Sequence, residues 1–243
     1  MRKAIVTGIR RIGYEIVKGL LQNGWSVGLV YKSSEHVYKE LMEKFGERVY
    51  GVKADLCFWH EAERAVRELT QMLGGVDALI HLASPYEPTP LAKLKEEDID
   101  YHFKPIAQAF VVMSREAYPL MLRNSGDIKG RIVAFGDWAT NTTPYRNYSA
   151  YFLAKGALHT AVKVLAKEFA PHVLVNAIAL GPTIKPPDFP EERWQEYVNK
   201  TPLKRTVSIK DVVKLTEYLL EVESMTGEII MLDSGRHVAG ECS

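Results

Sequence analysis

Short apolar segments alternate with longer amphipathic ones along the whole of this chain, and that alternation leaves few folds open. Ala4–Thr7, Ser26–Tyr31, Arg48–Lys53, Val76–Ile80, Arg131–Phe135, Val173–Ile178 and Glu228–Leu232 read as strands. Between them, Ile12–Gln22, Glu35–Phe45, Glu61–Leu73, Ser149–Phe169, Glu191–Asn199 and Lys210–Leu220 carry apolar residues at helical spacing, as Ile12, Ile16, Val17 and Leu20 do in the first. A further helical region, Glu96–Leu122, contains Pro105 and Pro119, which are expected to interrupt or kink it. Short buried strands joined by helices pair in parallel. The expected fold is therefore a single α/β domain over residues 1–243, a doubly wound parallel sheet of about seven strands with helices on both faces.

At 243 residues and 47% apolar content the chain can bury one large core. Lys and Arg total 31 against 30 for Asp and Glu, so no broad basic field points to nucleic acid or an anionic membrane as partner. Cys57 and Cys242 form no CxxC, which fits a reducing compartment. Met-Arg-Lys leads directly into a strand, and no apolar run reaches membrane-spanning length, so a soluble cytoplasmic protein is expected. The seven histidines are dispersed without partners at ligand spacing, and no metal is expected.

In doubly wound (Rossmann) sheets, ligands bind beyond the carboxyl ends of the strands. Gly8–Gly13, His81–Tyr86, Asp137–Trp138 and Gly181–Thr183 should then share one cleft, with the Pro-rich segment Gly181–Pro190 as a mobile lid and a substrate loop near 181–205. Glycine at 8 lets the backbone approach a pyrophosphate whose charge the following helix N-terminus stabilises; a tight turn with solvated arginines is the alternative. The second strand ends in Tyr31-Lys32-Ser33-Ser34, with no carboxylate before Glu35. Lys32, the two hydroxyls and Arg10 or Arg11 suit a ribose phosphate, which favours NADP(H) over NAD(H). Ser33 or Ser34 can also cap the next helix.

Tyr151 and Lys155 lie four residues apart on one helical face, and an ammonium beside a phenol favours acid–base work near neutral pH. With 12 tyrosines such a spacing recurs by chance: Tyr14 and Lys18 share it, and read as a solvent-facing packing pair. What separates Tyr151–Lys155 is its place after a strand end that carries a carboxylate, Asp137.

Thr7-Gly8-x-x-Arg11-Ile12-Gly13, Ala54-Asp55-Leu56, His81-Leu82-Ala83-Ser84, Tyr151-x-x-x-Lys155, Val175-Asn176-Ala177, Gly181-Pro182 and Thr226-Gly227 occur in this order. The chain thereby resembles the short-chain dehydrogenase/reductase family over nearly its full length. Within it the likeness is to pteridine reductases, through the segment from His81 to Leu91, Arg11, Thr201–Arg205, and Asp137 where most of the family has serine. The resemblance implies that Tyr151 gives a proton while NADPH gives hydride. Lys155 would hold the nicotinamide ribose and lower the tyrosine's pKa. Asp137 would orient the substrate and join a proton relay. Tyr86 would stack a planar ring, bordered by Arg11, Ser84 and Pro182. Gly8, Arg10, Arg11, Ile12, Tyr31, Lys32, Ser33, Ser34, Asp55, Leu56, Leu82, Ala83, Ser84, Tyr151, Lys155, Gly181 and Thr183 would contact the cofactor, and the assembly would be a homotetramer.

Three departures stand out. The loop before Tyr151 is one residue longer than the family's, so Asp137 or Trp138 fills the serine slot; Asp137 is preferred, because Trp138 cannot accept a proton. The family's two asparagines after the fourth strand are His81 and Leu82 here, and its helix-four asparagine, which anchors a water relay behind the lysine, falls near Lys104–Pro105. His81 is either a packed strand-end histidine or a substitute proton conduit. The expected activity is NADPH-dependent reduction of a small planar heterocycle such as a dihydropterin, at C=N or C=O. The alternatives are a carbonyl reductase for ketoacyl, sugar or quinone substrates, and an NADP(H)-binding sensor or scaffold that has lost catalysis.

Overall fold

The structure, a computed structural model, describes residues 1–187 and 189–239. Cys242 lies outside them. The elements are β1 (Lys3–Thr7), α1 (Ile12–Gln22), β2 (Ser26–Tyr31), α2 (Glu35–Phe45), β3 (Val49–Lys53), α3 (Trp59–Leu73), β4 (Ala78–His81), α4 (Glu96–Phe103), α5 (Ala109–Met121), β5 (Gly130–Asp137), α6 (Ser149–Phe169), β6 (Val173–Leu180), α7 (Glu191–Asn199), α8 (Ile209–Leu219) and β7 (Ile229–Leu232). The seven strands pair in parallel in the order β3-β2-β1-β4-β5-β6-β7. The order reverses between β1 and β4, which opens the crevice at their carboxyl ends.

Side chains alternate across the pleat and divide the core in two. Ile5, Leu79, Ile132, Ala134, Val175 and Ala177 face the layer containing α3, α5 and α6. Ala4, Val6, Ile80, Val133, Phe135 and Ile178 face the layer of α1, α2 and α8. Helix α3 shows how the pattern specifies its packing. Ala62, Ala65, Val66, Leu69 and Leu73 are buried on one stripe, and each fully buried leucine of this kind contributes about 1.5–3 kcal/mol.

Three expectations need correction. β4 begins at Ala78, two residues late, because the Asp77 carboxylate takes the Lys3 N–H (2.7 Å) in place of a ladder bond. β5 and β6 run two residues further than expected, to Asp137 and Leu180, since each pairs with the other to its end. Pro119 does not interrupt its helix, which continues to Met121; near the last turn it forfeits only one ladder bond. Pro105, by contrast, sits in a π-turn, Lys104–Gln108, between α4 and α5.

Candidate active site

Four strand ends meet at the crevice, and buried polar groups hold them together. The Thr7 hydroxyl oxygen accepts the N–H groups of Leu82 and Ala83, both at 3.1 Å, and faces Nδ1 of His81 at 3.1 Å. Nε2 of His81 lies 3.0 and 3.1 Å from the carbonyls of Pro105 and Ile106. Carbonyls only accept, so Nε2 carries the proton and Nδ1 accepts from Thr7. Burial pushes the imidazole down to about 4, with the Lys155 charge adding to the effect. His81 is thus a neutral, packed histidine that caps the π-turn, and it carries no ionisable proton at neutral pH.

Asp137 ends β5, and Trp138 turns away to donate from its indole to the Tyr197 hydroxyl (3.1 Å). Oδ2 of Asp137 accepts from Tyr151 (3.0 Å), and Oδ1 from the Ala139 N–H (2.8 Å). Burial raises the Asp137 pKa, opposed by that N–H and the Lys155 charge. Tyr151 is only 6% exposed, and burial, followed by the Asp137 charge, holds its phenol well above the ordinary tyrosine value. Lys155 was expected to favour the phenolate. Its Nζ instead donates to the Phe135 carbonyl (2.6 Å) and lies 5.6 Å from the Tyr151 ring centre. Burial lowers Lys155 to about 8, with Asp137 opposing. In this geometry Tyr151 is a protonated donor.

The glycine turn fits a dinucleotide pyrophosphate. Gly8 has φ +69°, and a Cβ there would meet Leu82 C at 2.6 Å and Ala83 N at 2.7 Å. Backbone fills that space, so no side chain separates the turn from an incoming phosphate. No side chain caps α1 either; the Gly13 N–H turns back to the Arg10 carbonyl (3.0 Å), and those of Ile12 and Tyr14 are left for an anion. At the end of β2, Lys32 pairs with Asp55 (2.8 Å). Burial works against the Asp55 charge, but Lys32 and the Cys57 N–H hold its carboxyl below the ordinary value. Ser34 precedes α2 without a side-chain cap bond. Lys32 and Ser33 are exposed, Tyr31 and Asp55 half-buried, and Leu56 buried. Ile12, Leu82 and Ala83 are half-buried beside the glycine turn, while Arg10 and Ser84 are exposed. Arg11, at φ +52°, does not join Lys32; its guanidinium donates to the carbonyls of Ile184 (2.6 Å) and Lys185 (3.1 Å) and straps the loop after β6. There Thr183 donates to the Gly181 carbonyl (3.0 Å), and the buried Pro182 accepts from Val207 (2.8 Å).

Tyr86 is 42% exposed, stacks on Tyr148 (4.6 Å, 19°) and meets Tyr151 edge-on (5.0 Å, 83°). Tyr145, Tyr148, His102 and Tyr197 also ring the acid, though sequence reasoning missed them. The run Tyr145-x-x-Tyr148-x-x-Tyr151 was the available signal. Tyr14 belongs elsewhere, donating to Glu40 (2.7 Å) on α2. No group of metal-ligating residues and no membrane-length apolar helix occurs among the described residues. A cavity of about 200 Å³ at the amino ends of the strands, lined by Arg2, Trp25, Asp77, Asn124 and Arg131, lies at the opposite end of the sheet from this chemistry.

A family model described as enoyl-(acyl carrier protein) reductase matches residues 8–237. L-xylulose reductase of Bos taurus is 30% identical over 245 residues, covering 96% of each chain. The hydroxynaphthalene reductase-like protein Arp2 of Metarhizium majus is 28% identical over 256 residues, 96% of this chain and 93% of that protein. In structure, FolM alternative dihydrofolate reductase 1 from Brucella canis, complexed with NADP, superposes with a TM-score of 0.89 at 28% identity, over 99% of this chain and 96% of that one.

Proposed function

We propose that this chain, which belongs to the short-chain dehydrogenase/reductase family, is an NADPH-dependent reductase of a small planar heterocycle of the dihydropterin class, acting at a C=N or C=O bond. NADP(H) is its cofactor, as in the solved relative complexed with NADP. The Gly8–Ile12 turn, the Leu82–Ala83 segment held by Thr7, Lys32 and Lys155 would hold it. When bound, NADPH supplies the hydride. Tyr151 supplies the proton, its phenol kept protonated by burial and by Asp137. The Tyr86 ring, 42% exposed and perpendicular to the Tyr151 ring, offers a flat wall for a planar substrate.

The observation that carries the substrate reading is the Asp137 carboxyl on the proton donor (3.0 Å). A carboxyl group pairs with ring N–H groups of a pterin, or donates to a ring nitrogen when protonated, whereas a plain ketone needs one hydroxyl donor. The carbonyl reading draws on the names of the xylulose and hydroxynaphthalene relatives. NADPH oxidation with dihydrobiopterin, dihydrofolate, xylulose and a ketoacyl thioester separates the two. Higher kcat/KM on the pterins supports the proposal, and turnover of the ketones alone rejects it. Tyr151→Phe should reduce turnover about 10²–10⁴-fold while leaving NADPH affinity nearly unchanged.

A further inference from the structure

Tyr145 has no role in the reaction as described so far. It lies in the segment between β5 and α6, and its phenol donates to Oδ2 of Asp137 (3.4 Å), the oxygen that also accepts from Tyr151 (3.0 Å). Tyr145 in turn accepts from the hydroxyl of Tyr86 (3.0 Å). The Tyr145 ring is fixed edge-on against Phe152 (4.7 Å) and Tyr148 (5.2 Å). Four groups, Tyr86, Tyr145, Asp137 and Tyr151, therefore form an unbroken line of hydrogen bonds. It runs from a ring 42% exposed to one 6% exposed. Tyr145 and Tyr151 donate to the carboxylate, and Tyr86 donates to Tyr145.

We propose that Tyr86 and Tyr145 carry a proton from solvent to Asp137, and through it to Tyr151, after each reduction. The need for such a route follows from the chemistry. Each turnover transfers the Tyr151 proton to product, and a phenolate so deeply buried must be reprotonated through neighbours rather than by bulk water. On the opposite side of Tyr151 the groups are otherwise engaged. The Lys155 ammonium donates to the Phe135 carbonyl, and the π-turn carbonyls behind it accept from the neutral His81. The line through Tyr145 ends on Tyr86, a residue 42% exposed.

The proton count closes. As the Tyr145 proton moves to Oδ2 of Asp137, the Tyr86 proton moves to the Tyr145 oxygen, and a hydronium or buffer acid in solvent reprotonates Tyr86. The Asp137 carboxyl then gives its proton to the Tyr151 oxygen. One proton enters for each hydride transferred, no electrons move along the line, and both phenols end as they began. Burial favours the neutral carboxyl of Asp137, which eases the central step.

The proposal rests on Tyr151 as proton donor, and Tyr145→Phe tests it while keeping the ring packing. With the substrate identified by the assay above, the first turnover, followed as NADPH oxidation with enzyme in excess, should proceed as in wild type. Steady-state kcat should fall about tenfold or more. In mixtures of H2O and D2O, the wild-type dependence of kcat on deuterium fraction should bow, reporting several protons in flight, and the variant's should not. Tyr86→Phe, which retains the stacking ring, should shift kcat and the deuterium dependence in the same direction. Unchanged kcat and deuterium dependence in Tyr145→Phe would overturn the relay. Equal loss of the first turnover and of kcat would overturn it too, since the phenol would then act by placing Asp137 for chemistry. Wild-type activity in Tyr151→Phe would reject the functional reading itself, whatever Tyr145→Phe did.

Discussion

Replacing Thr7 with valine removes one oxygen and changes little else in shape, which makes it a sharp test of how the crevice is held. Thr7 is fully buried. Its hydroxyl satisfies the N–H groups of Leu82 and Ala83 and Nδ1 of His81. None of the three has another partner within the turn, so Thr7→Val strands two donors and an acceptor. Each buried polar group left unpaired costs about 1–3 kcal/mol. Local relaxation and the added methyl offset part of this, leaving a net loss of about 3 kcal/mol. For a domain of this size that lowers the melting midpoint by about 6–12 °C. Thr7→Ser keeps the oxygen and loses a methyl, costing about 1 kcal/mol. Thermal unfolding followed by circular dichroism at matched protein concentration reads both. A valine variant within about 2 °C of wild type, or a serine variant as unstable as the valine one, would refute the reasoning.

Lys32→Glu should weaken NADPH binding about tenfold or more and NADH far less, because it places a negative charge beside Asp55 where a ribose phosphate would sit; equal effects on both in a fluorescence titration would count against the pocket. Gly8→Ala should abolish NADPH binding and lower the melting midpoint, since its Cβ meets rigid backbone at 2.6–2.7 Å and its φ is left-handed; retention of both properties would show that the turn can move aside. Stability should also fall between pH 6.5 and about 4. Burial holds His81 and His159 at about 4, below the ordinary imidazole value, so in that window the unfolded chain binds more protons than the folded one. The stability present above pH 6.5 is lost as pH falls, by at most about 1.4 kcal/mol per pH unit for each histidine. His159→Gln should flatten the decline of the urea midpoint, and an unchanged slope would refute the assignment.

The layers and the crevice were legible in the sequence because they follow from periodicity. Ile5 against Ala4 and Val6, or Val175 against Ile178, sorts the two cores by alternation alone, and parallel strands end at one edge. Asp137 was legible too, since a strand end followed by a helix-borne tyrosine and lysine leaves one carboxylate in reach. Tyr145 was not, because its approach to Asp137 depends on how the intervening segment folds back, which no periodic pattern encodes. The direction of the Tyr151 shift was misjudged for a similar reason. Helical spacing puts Lys155 on the same face, but burial and the Phe135 carbonyl decide where its ammonium points. Arg11 carried a local ambiguity of the same kind, resolved only by the nearby carbonyls of Ile184 and Lys185.

The π-turn at Lys104–Gln108 also bears on which changes of length the chain can absorb. It leads into α5, whose stripe Phe110, Met113, Ala117 and Met121 lies wholly in the core. Because this turn takes one residue more than an α-turn, deleting a single residue there would restore a regular helix and leave that stripe close to its present phase against the sheet. It would, however, take the two carbonyls from His81. A deletion of the same size between Asn141 and Tyr148 alters no helical phase. Helical phase therefore sets the limit in neither place; what a change of length costs is the polar contacts it breaks, those of His81 at the turn and those of Tyr145 with Asp137 beside the site.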